Sequence, residues 1–450
     1  MDDFDVVVVG AGPAGEVLAG RCAEGGLAVA LIERELVGGE CSYWGCIPSK
    51  TLIRPGDVVA AARRVPGVGA DLDAAGALAR RDYMTSGWTD DGQLPWLSER
   101  GIELVRGTGR LDGVRAVVVG ERRLTARRAV VLATGTRPAL PPIPGLADAQ
   151  PWDNRDATAV KAIPHRLLVL GGGAIGAEMA QAYRRLGCAE VTVIEGAERL
   201  LPGEEPFAGD EVAAAFAAEA ITVVVGASVD RVHREGDGPV AVMLRDRVLV
   251  GDELLVATGR RVVTAELGLE TVGLTPGRFV PVDDRLRVDE LDWLYAIGDC
   301  NGRAQLTHMG KYQGRIAADV ILGRDARDRA SDDVVPRVTF TDPQVCAVGL
   351  TEAQARGRGI PVRTTTYGTG DVPGAYTQGD GIRGTAKLVA DEARGVLVGA
   401  TFTGPGIQEL LHSATIAIAG DVPLERLWHA VPSFPTISEV WLRLLEAYGL

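Results

Sequence analysis

Apolar residues fall along this chain in short solid blocks punctuated by glycine. The first block is DVVVVG, a β-branched run from Asp5 that ends at Gly10, and such a run predicts a buried strand. A helical stretch follows it, then AVALIE, a second strand pattern ending on Glu33. The same order returns in RLLVLGGGAIGAEMAQAYRRLGCAEVTVIEGAE, which opens at Arg166 and closes its second strand on Glu195. Further on, LYAIGDC reads as a strand entering a turn. No apolar run approaches the roughly 20 residues that a membrane helix needs.

The turns carry chemistry. Gly10, Gly12 and Gly15 stand in G-x-G-x-x-G spacing, as do Gly171, Gly173 and Gly176. In such a unit the first glycine makes the tight turn, the second lets a pyrophosphate approach the backbone, and the third lets the helix pack closely. The helix N-terminus then offers free N–H groups and a positive dipole end to the diphosphate. Glu33, 23 residues after Gly10, and Glu195, 24 after Gly171, are placed to accept hydrogen bonds from an adenosine ribose. A lone glycine motif is weak, but the complete strand, turn, helix, strand and acid is much stronger. Two such units imply two dinucleotides meeting, an electron-transfer arrangement. A carboxylate at 195 welcomes a ribose 2′-OH and repels a 2′-phosphate, which favours NADH over NADPH. Arg199 is the residue that would oppose this.

With 450 residues, 46% of them apolar, the chain can fill about three domains. Its 47 basic and 60 acidic side chains give a formal charge of −13, which argues against a general nucleic-acid or anionic-membrane surface. MDDFDVVVVG lacks a positively charged leader region, so a signal peptide is not expected and a cytoplasmic location is. Cys22, Cys188, Cys300 and Cys346 lie singly in apolar surroundings and read as small buried hydrophobes. Cys41 and Cys46, in GGECSYWGCIPSKTL, are close enough to bridge if the segment begins a helix. A helix N-terminus also lowers a thiol pKa. No metal site is expected.

These motifs together make the chain resemble the flavin-dependent pyridine nucleotide-disulfide oxidoreductases, the group of dihydrolipoamide dehydrogenase, glutathione reductase and mercuric reductase. The likeness extends to two ATG turns, Ala133-Thr134-Gly135 and Ala257-Thr258-Gly259-Arg260, to Gly298-Asp299, and to FTDPQVCAVGLTE at 340–352. It implies an α/β fold with two Rossmann-like dinucleotide-binding domains and an α+β C-terminal dimerisation domain. The implied divisions are an FAD domain at 1–150, an NAD(P) domain at 151–265, a central region at 266–330 and an interface domain at 331–450. Gly10, Gly12, Gly15 and Glu33 would hold FAD, with Asp299, after Gly298, at the ribityl chain. Gly171, Gly173, Gly176 and Glu195 would hold NAD(H), and Ala133, Thr134, Gly135, Gly259 and Arg260 are further cofactor-binding positions. Cys46 matches the thiol that contacts the flavin and Cys41 the one that exchanges with substrate. Lys50 and Glu178 match an ion pair beside flavin N5, although from the residues alone Glu178 reads equally as an exposed helix position. Electrons would pass from NADH to FAD to the Cys41–Cys46 disulfide in a homodimer whose active sites are shared across the interface.

One position breaks the pattern. Disulfide-reducing relatives carry a histidine before a Pro-Thr pair, supplied by the partner subunit, and here VPSFPTISE puts Phe434 there. Loss of a general acid-base group costs roughly 10² to 10⁴ in rate. Glu439 matches the glutamate that orients the missing imidazole. His308 and His429 are the candidate substitutes, each also readable as a structural histidine, and His165 and His233 read as surface residues. Mercuric reductases carry tyrosine at this position but use a C-terminal cysteine pair, which WLRLLEAYGL lacks, so mercury is not the expected substrate. Tyr43 and Trp44 either line an aromatic acceptor surface or pack the helix start, and Val262-Val263 reads as loop variation. The expected acceptor is a small molecule that needs no strong acid: a quinone, a dye or an activated disulfide. The alternatives are a dihydrolipoamide dehydrogenase with a relocated base, and a poorly active nucleotide-binding sensor or subunit.

Overall fold

The computed structural model describes residues 2–450, which divide into two compact units. One gathers residues 2–48, 81–139 and 260–332. Its main sheet runs in the order Arg287–Val288, Leu291–Ala296, Arg122–Leu132, Asp2–Val9, Val29–Glu33, Glu103–Arg106. From Leu291–Ala296 onward these strands are parallel. Val6, Val8, Leu31 and Val131 pack with Leu18 and Ala317, while Val7, Val9, Ala30, Ile32 and Val130 pack with Val117 and Leu294. Alternate residues of each strand therefore serve different cores, which is why the sequence shows solid apolar blocks and no alternation. Helices Pro13–Glu24 and Thr307–Ile321 close tightly on each other because Gly314 leaves room, as a Cβ there would lie 2.7 Å from the Ala14 carbonyl oxygen.

The other unit comprises Ser49–Arg80, Leu140–Gly259 and Asp333–Leu450. It holds a parallel sheet in the order Ile221–Val224, Glu190–Ile194, Arg166–Leu170, Glu253–Val256, and an antiparallel three-stranded sheet over 229–251. Its C-terminal part is an antiparallel sheet of five strands covered by helices Leu411–Ala419 and Glu439–Tyr448 around Phe402, Ala414 and Leu444. Partnered charges stitch the unit together. Lys387 reaches Glu205 at 2.9 Å and Glu352 at 2.7 Å, and Arg185 holds Glu219, Asp342 and Asp57 within 3.0 Å.

One expectation is corrected here. Val262 is not in a variable loop but in the strand Arg260–Val262, laddered antiparallel to Thr136–Pro138, with its side chain against the core. The β-branched side chain suits that half-buried strand position. Among the described residues, no helix is long and apolar enough to cross a membrane.

Candidate functional site

The first glycine turn is held by steric necessity. Gly10 sits at φ +106°, and a Cβ there would lie 2.4 Å from the Ala133 carbonyl oxygen. A Cβ on Gly15 would fall 2.0 Å from the Gly10 carbonyl oxygen, so the helix start presses on the turn itself. Gly12 is different, since nothing lies within 4 Å of a Cβ placed there. That open approach at the N-cap of helix Pro13–Glu24 is what a diphosphate requires. Glu33 accepts from the Ala11 N–H at 2.9 Å and the Glu35 N–H at 2.7 Å, so its carboxylate also pins the turn.

The neighbouring turns add polar groups. Thr134 follows Ala133, and its hydroxyl is buried with no hydrogen-bond partner. Asp299 accepts from the Thr136 hydroxyl at 2.6 Å, and Arg260 donates to the same hydroxyl at 2.7 Å and to the Thr136 carbonyl at 2.9 Å. Burial pushes the Asp299 carboxyl above the usual range, against the pull of Thr136 and Arg260. Gly298, at φ +71°, donates its N–H to the fully buried Gln313 at 2.8 Å. An orphaned hydroxyl, an open glycine and a half-buried carboxylate at the ends of parallel strands fit a flavin dinucleotide.

The cysteines belong to the same unit. Cys41 lies on the short helix Gly39–Tyr43, and Cys46 opens helix Cys46–Arg63. The two stand as thiols within hydrogen-bonding reach of each other, with Cys46 Sγ 3.4 Å from the Thr307 hydroxyl. Cys46 and burial together push the Cys41 thiol up, while Thr307 and Lys311 draw it down. Tyr43 is 3% exposed and its carbonyl accepts from the Trp88 indole, so it packs the helix start and does not line an acceptor surface. Cys22, Cys188, Cys300 and Cys346 are all buried.

In the other unit the glycine geometry repeats. Gly171 has φ +110° with the Ala257 carbonyl oxygen 2.5 Å from a Cβ, Gly176 would meet the Gly171 carbonyl oxygen at 1.9 Å, and Gly173 is open. Glu195 accepts from the Gly172 N–H at 2.5 Å and the Ala197 N–H at 2.7 Å, matching Glu33 bond for bond. Arg199 is tied to the carbonyls of Pro202 and Glu204. Gly259 has φ +130° and open space beside it. Lys50 Nζ lies 2.7 Å from Glu178 Oε2, and Glu178 also accepts from the Phe340 N–H at 3.0 Å. Glu178 is buried, which removes the reading of it as an exposed helix residue.

Phe434 is 75% exposed on a firmly seated segment, for a Cβ on Gly374 would lie 2.0 Å from the Thr436 carbonyl carbon. Glu439, at the start of helix Glu439–Tyr448, is buried, and its Oε2 has no hydrogen-bond partner. His165, His233, His308 and His429 are exposed. Among the described residues, no group of His, Cys, Asp or Glu is arranged to hold a metal ion.

Thr136, Thr307, Lys311, Gln313 and Phe340 were not legible as site residues. Gln313 and Thr307 sit in a helix whose sequence gives no sign that a polar side chain there faces inward, and Thr136 is a single hydroxyl after a glycine turn.

The profile of the pyridine nucleotide-disulphide oxidoreductases matches residues 4–314, and that of their dimerisation domain matches 335–444. A mercuric reductase from Bacillus cereus is 31% identical, the alignment covering 97% of this chain and 70% of that one. A dihydrolipoyl dehydrogenase from Chlamydia muridarum is 32% identical over 97% and 95% of the two. Among solved structures, the HOCl-induced flavoprotein disulfide reductase RclA from Escherichia coli superposes with a TM-score of 0.87 at 28% identity, covering 98% of this chain and 99% of that one.

Proposed function

From a chain that belongs to the pyridine nucleotide-disulphide oxidoreductases, flavoenzymes that bind FAD and use a pyridine nucleotide, we propose an enzyme that passes electrons from NADH through FAD and Cys41–Cys46 to an acceptor requiring no strong acid. A quinone, a dye or a disulfide with an acidic leaving thiol meets that requirement, since low-pKa thiolates leave unprotonated. The observation that carries this reading is the C-terminal segment: an exposed phenyl ring at 434 and, five residues on, a buried Glu439 whose Oε2 has no partner.

In this reading Gly12, Thr134, Glu33 and Asp299 hold FAD, which supplies two-electron chemistry when bound. Thr307 seats Cys46, and Cys41 exchanges with the acceptor. Lys50, fixed by Glu178, offers a positive charge toward the flavin. Gly173 and Glu195 receive the pyridine nucleotide, and two features favour NADH. Glu195 repels a 2′-phosphate, and Arg199, bound to two carbonyls, is spent within its own loop. Val431 and Phe434, 85% and 75% exposed within the matched dimerisation domain, support a homodimer. The four-part division at 1–150, 151–265, 266–330 and 331–450 belongs to the same proposal.

A second reading, a dihydrolipoamide dehydrogenase using His429, draws on the 32% identity to dihydrolipoyl dehydrogenases. A related RclA structure is described as a Cu(II) complex, which adds a metal ion to the acceptors worth testing. Anaerobic titration with NADH, followed by lipoamide, quinone, dye and Cu(II), separates the readings. A long-wavelength thiolate–flavin band with rapid reoxidation by quinone supports the proposal. Equally rapid reoxidation by lipoamide supports the second reading, and no band with no acceptor indicates a sensor.

A further inference from the structure

In the unit that holds Leu140–Gly259, two helices meet through charges of alternating sign. Lys50 and Asp57, seven residues apart, share one face of helix Cys46–Arg63, and Glu178 and Arg185, also seven apart, share one face of helix Ala174–Arg185. Lys50 Nζ meets Glu178 Oε2 at 2.7 Å and Arg185 meets Asp57 at 3.0 Å, so each helix gives its neighbour one cation and one anion. Sliding one helix by two turns would set Lys50 against Arg185, so the alternation fixes their register.

A third segment, Phe340–Asp342, touches both rungs. The Asp342 N–H donates to Gln181 Oε1 at 2.7 Å, and its carboxylate takes Arg185 at 2.8 Å and Arg64 at 2.5 Å. Phe340 donates its N–H to Glu178 Oε1 at 3.0 Å, while its side chain packs on the core cluster that includes Ile53 and Ala177. Its ring centroid lies 4.8 Å from Lys50 Nζ, inside the roughly 6 Å reach of a cation–π contact. Phe340 thus holds both members of the first rung, the carboxylate by its backbone and the ammonium by its ring. Lysine is a point charge on a flexible four-carbon stem, and Lys50 is 35% exposed, so a single contact at Glu178 would leave it free to swing. Carboxylate and ring together restrain the ammonium from two sides.

We propose that Phe340 is a positioning residue for the flavin chemistry, its ring holding the Lys50 ammonium where its charge stabilises reduced flavin. The inference rests on the proposed function, in which Lys50 offers that charge toward the flavin. Reduced flavin is the more negative of the two redox states, so a fixed cation favours it and a swinging one favours it less. Phe340 itself transfers no proton or electron; it acts through Lys50. The second rung and the clamp at Asp342 keep the ring in place. A cation over an aromatic face at a part-exposed site shifts such an equilibrium about two- to fivefold.

The test is the midpoint potential of the bound flavin, measured by equilibration with a reference dye in a Cys41→Ser/Cys46→Ser background so that only the flavin titrates. Phe340→Leu, which keeps the N–H and loses the ring, should move the reduced-to-oxidised ratio about two- to fivefold toward oxidised flavin, a potential about 10–20 mV lower. Phe340→Tyr, which keeps the ring, should stay at the parent value. Lys50→Met should lower the potential further, and Phe340→Leu added to Lys50→Met should lower it no more. An equal shift from Phe340→Leu with and without Lys50 makes the ring merely structural and overturns the proposal. If Phe340→Leu fails to fold, Phe340→Met carries the same expectations and the same refutation. A shift in Lys50→Met with none in Phe340→Leu overturns the inference alone. No shift in Lys50→Met defeats the placement of Lys50 on which the inference rests, and the inference with it.

Discussion

Replacing Lys50 by methionine isolates one charge in a nearly dry place. The Glu178 side chain is 5% exposed and has two partners, the Lys50 ammonium at 2.7 Å and the Phe340 N–H at 3.0 Å. Removing one side of a buried pair costs about 3–5 kcal/mol, because the remaining charge keeps its desolvation penalty and loses its compensation. Lys50 is itself 35% exposed, so water screens the pair and the lower end of that range applies, about 3 kcal/mol. For a unit of this size each kcal/mol moves the melting temperature by roughly 2–4 °C, which places Lys50→Met about 6–12 °C below wild type at pH 8. Lys50→Met/Glu178→Gln should recover to within about 1 kcal/mol, since the amide oxygen still accepts from the Phe340 N–H. Calorimetry or circular dichroism melts of wild type and the two variants at pH 8 test this. A Lys50→Met melt within 1–2 °C of wild type at pH 8, or a double variant less stable than the single one, would refute the reasoning.

Other consequences follow from the same geometry. Gly15→Ala puts a Cβ 2.0 Å from the Gly10 carbonyl oxygen and should yield little folded protein, whereas Gly12→Ala meets nothing within 4 Å and should melt like wild type. The ratio of flavin to protein absorbance should nevertheless drop in Gly12→Ala, because the added methyl occupies the diphosphate approach. Glu16, whose folded value of about 7 lies above its ordinary 4.5, binds its proton more tightly in the folded chain than in the unfolded one. Its stability contribution is complete below pH 4.5 and is lost as pH rises through 7, a loss of about 3 kcal/mol by pH 8. Glu16→Gln should flatten that part of the stability–pH curve, and an unchanged slope between pH 5 and 8 would contradict it.

What could be read in advance was whatever a single stretch of chain encodes. Gly10, Gly15, Gly171 and Gly176 stood out because any side chain there collides with a backbone oxygen. The solid blocks at Val6–Val9 and Val29–Ile32 announced strands covered on both faces. Contacts distant in sequence left no local trace. Nothing near Thr136 signals that Asp299 and Arg260 meet at its hydroxyl, and nothing near Gln313 signals that it anchors Gly298. Val262 was misjudged for a related reason, since its strand partner, Thr136, lies 126 residues earlier.

The most direct test of the acceptor assignment is steady-state turnover with NADH of wild type and Phe434→His on lipoamide and on a quinone. Wild type should reduce the quinone at least about 10² faster than lipoamide, and Phe434→His, restoring an imidazole five residues before the buried Glu439, should raise the lipoamide rate tenfold or more while leaving the quinone rate within about twofold. Wild-type turnover of lipoamide as fast as that of quinone would contradict the assignment.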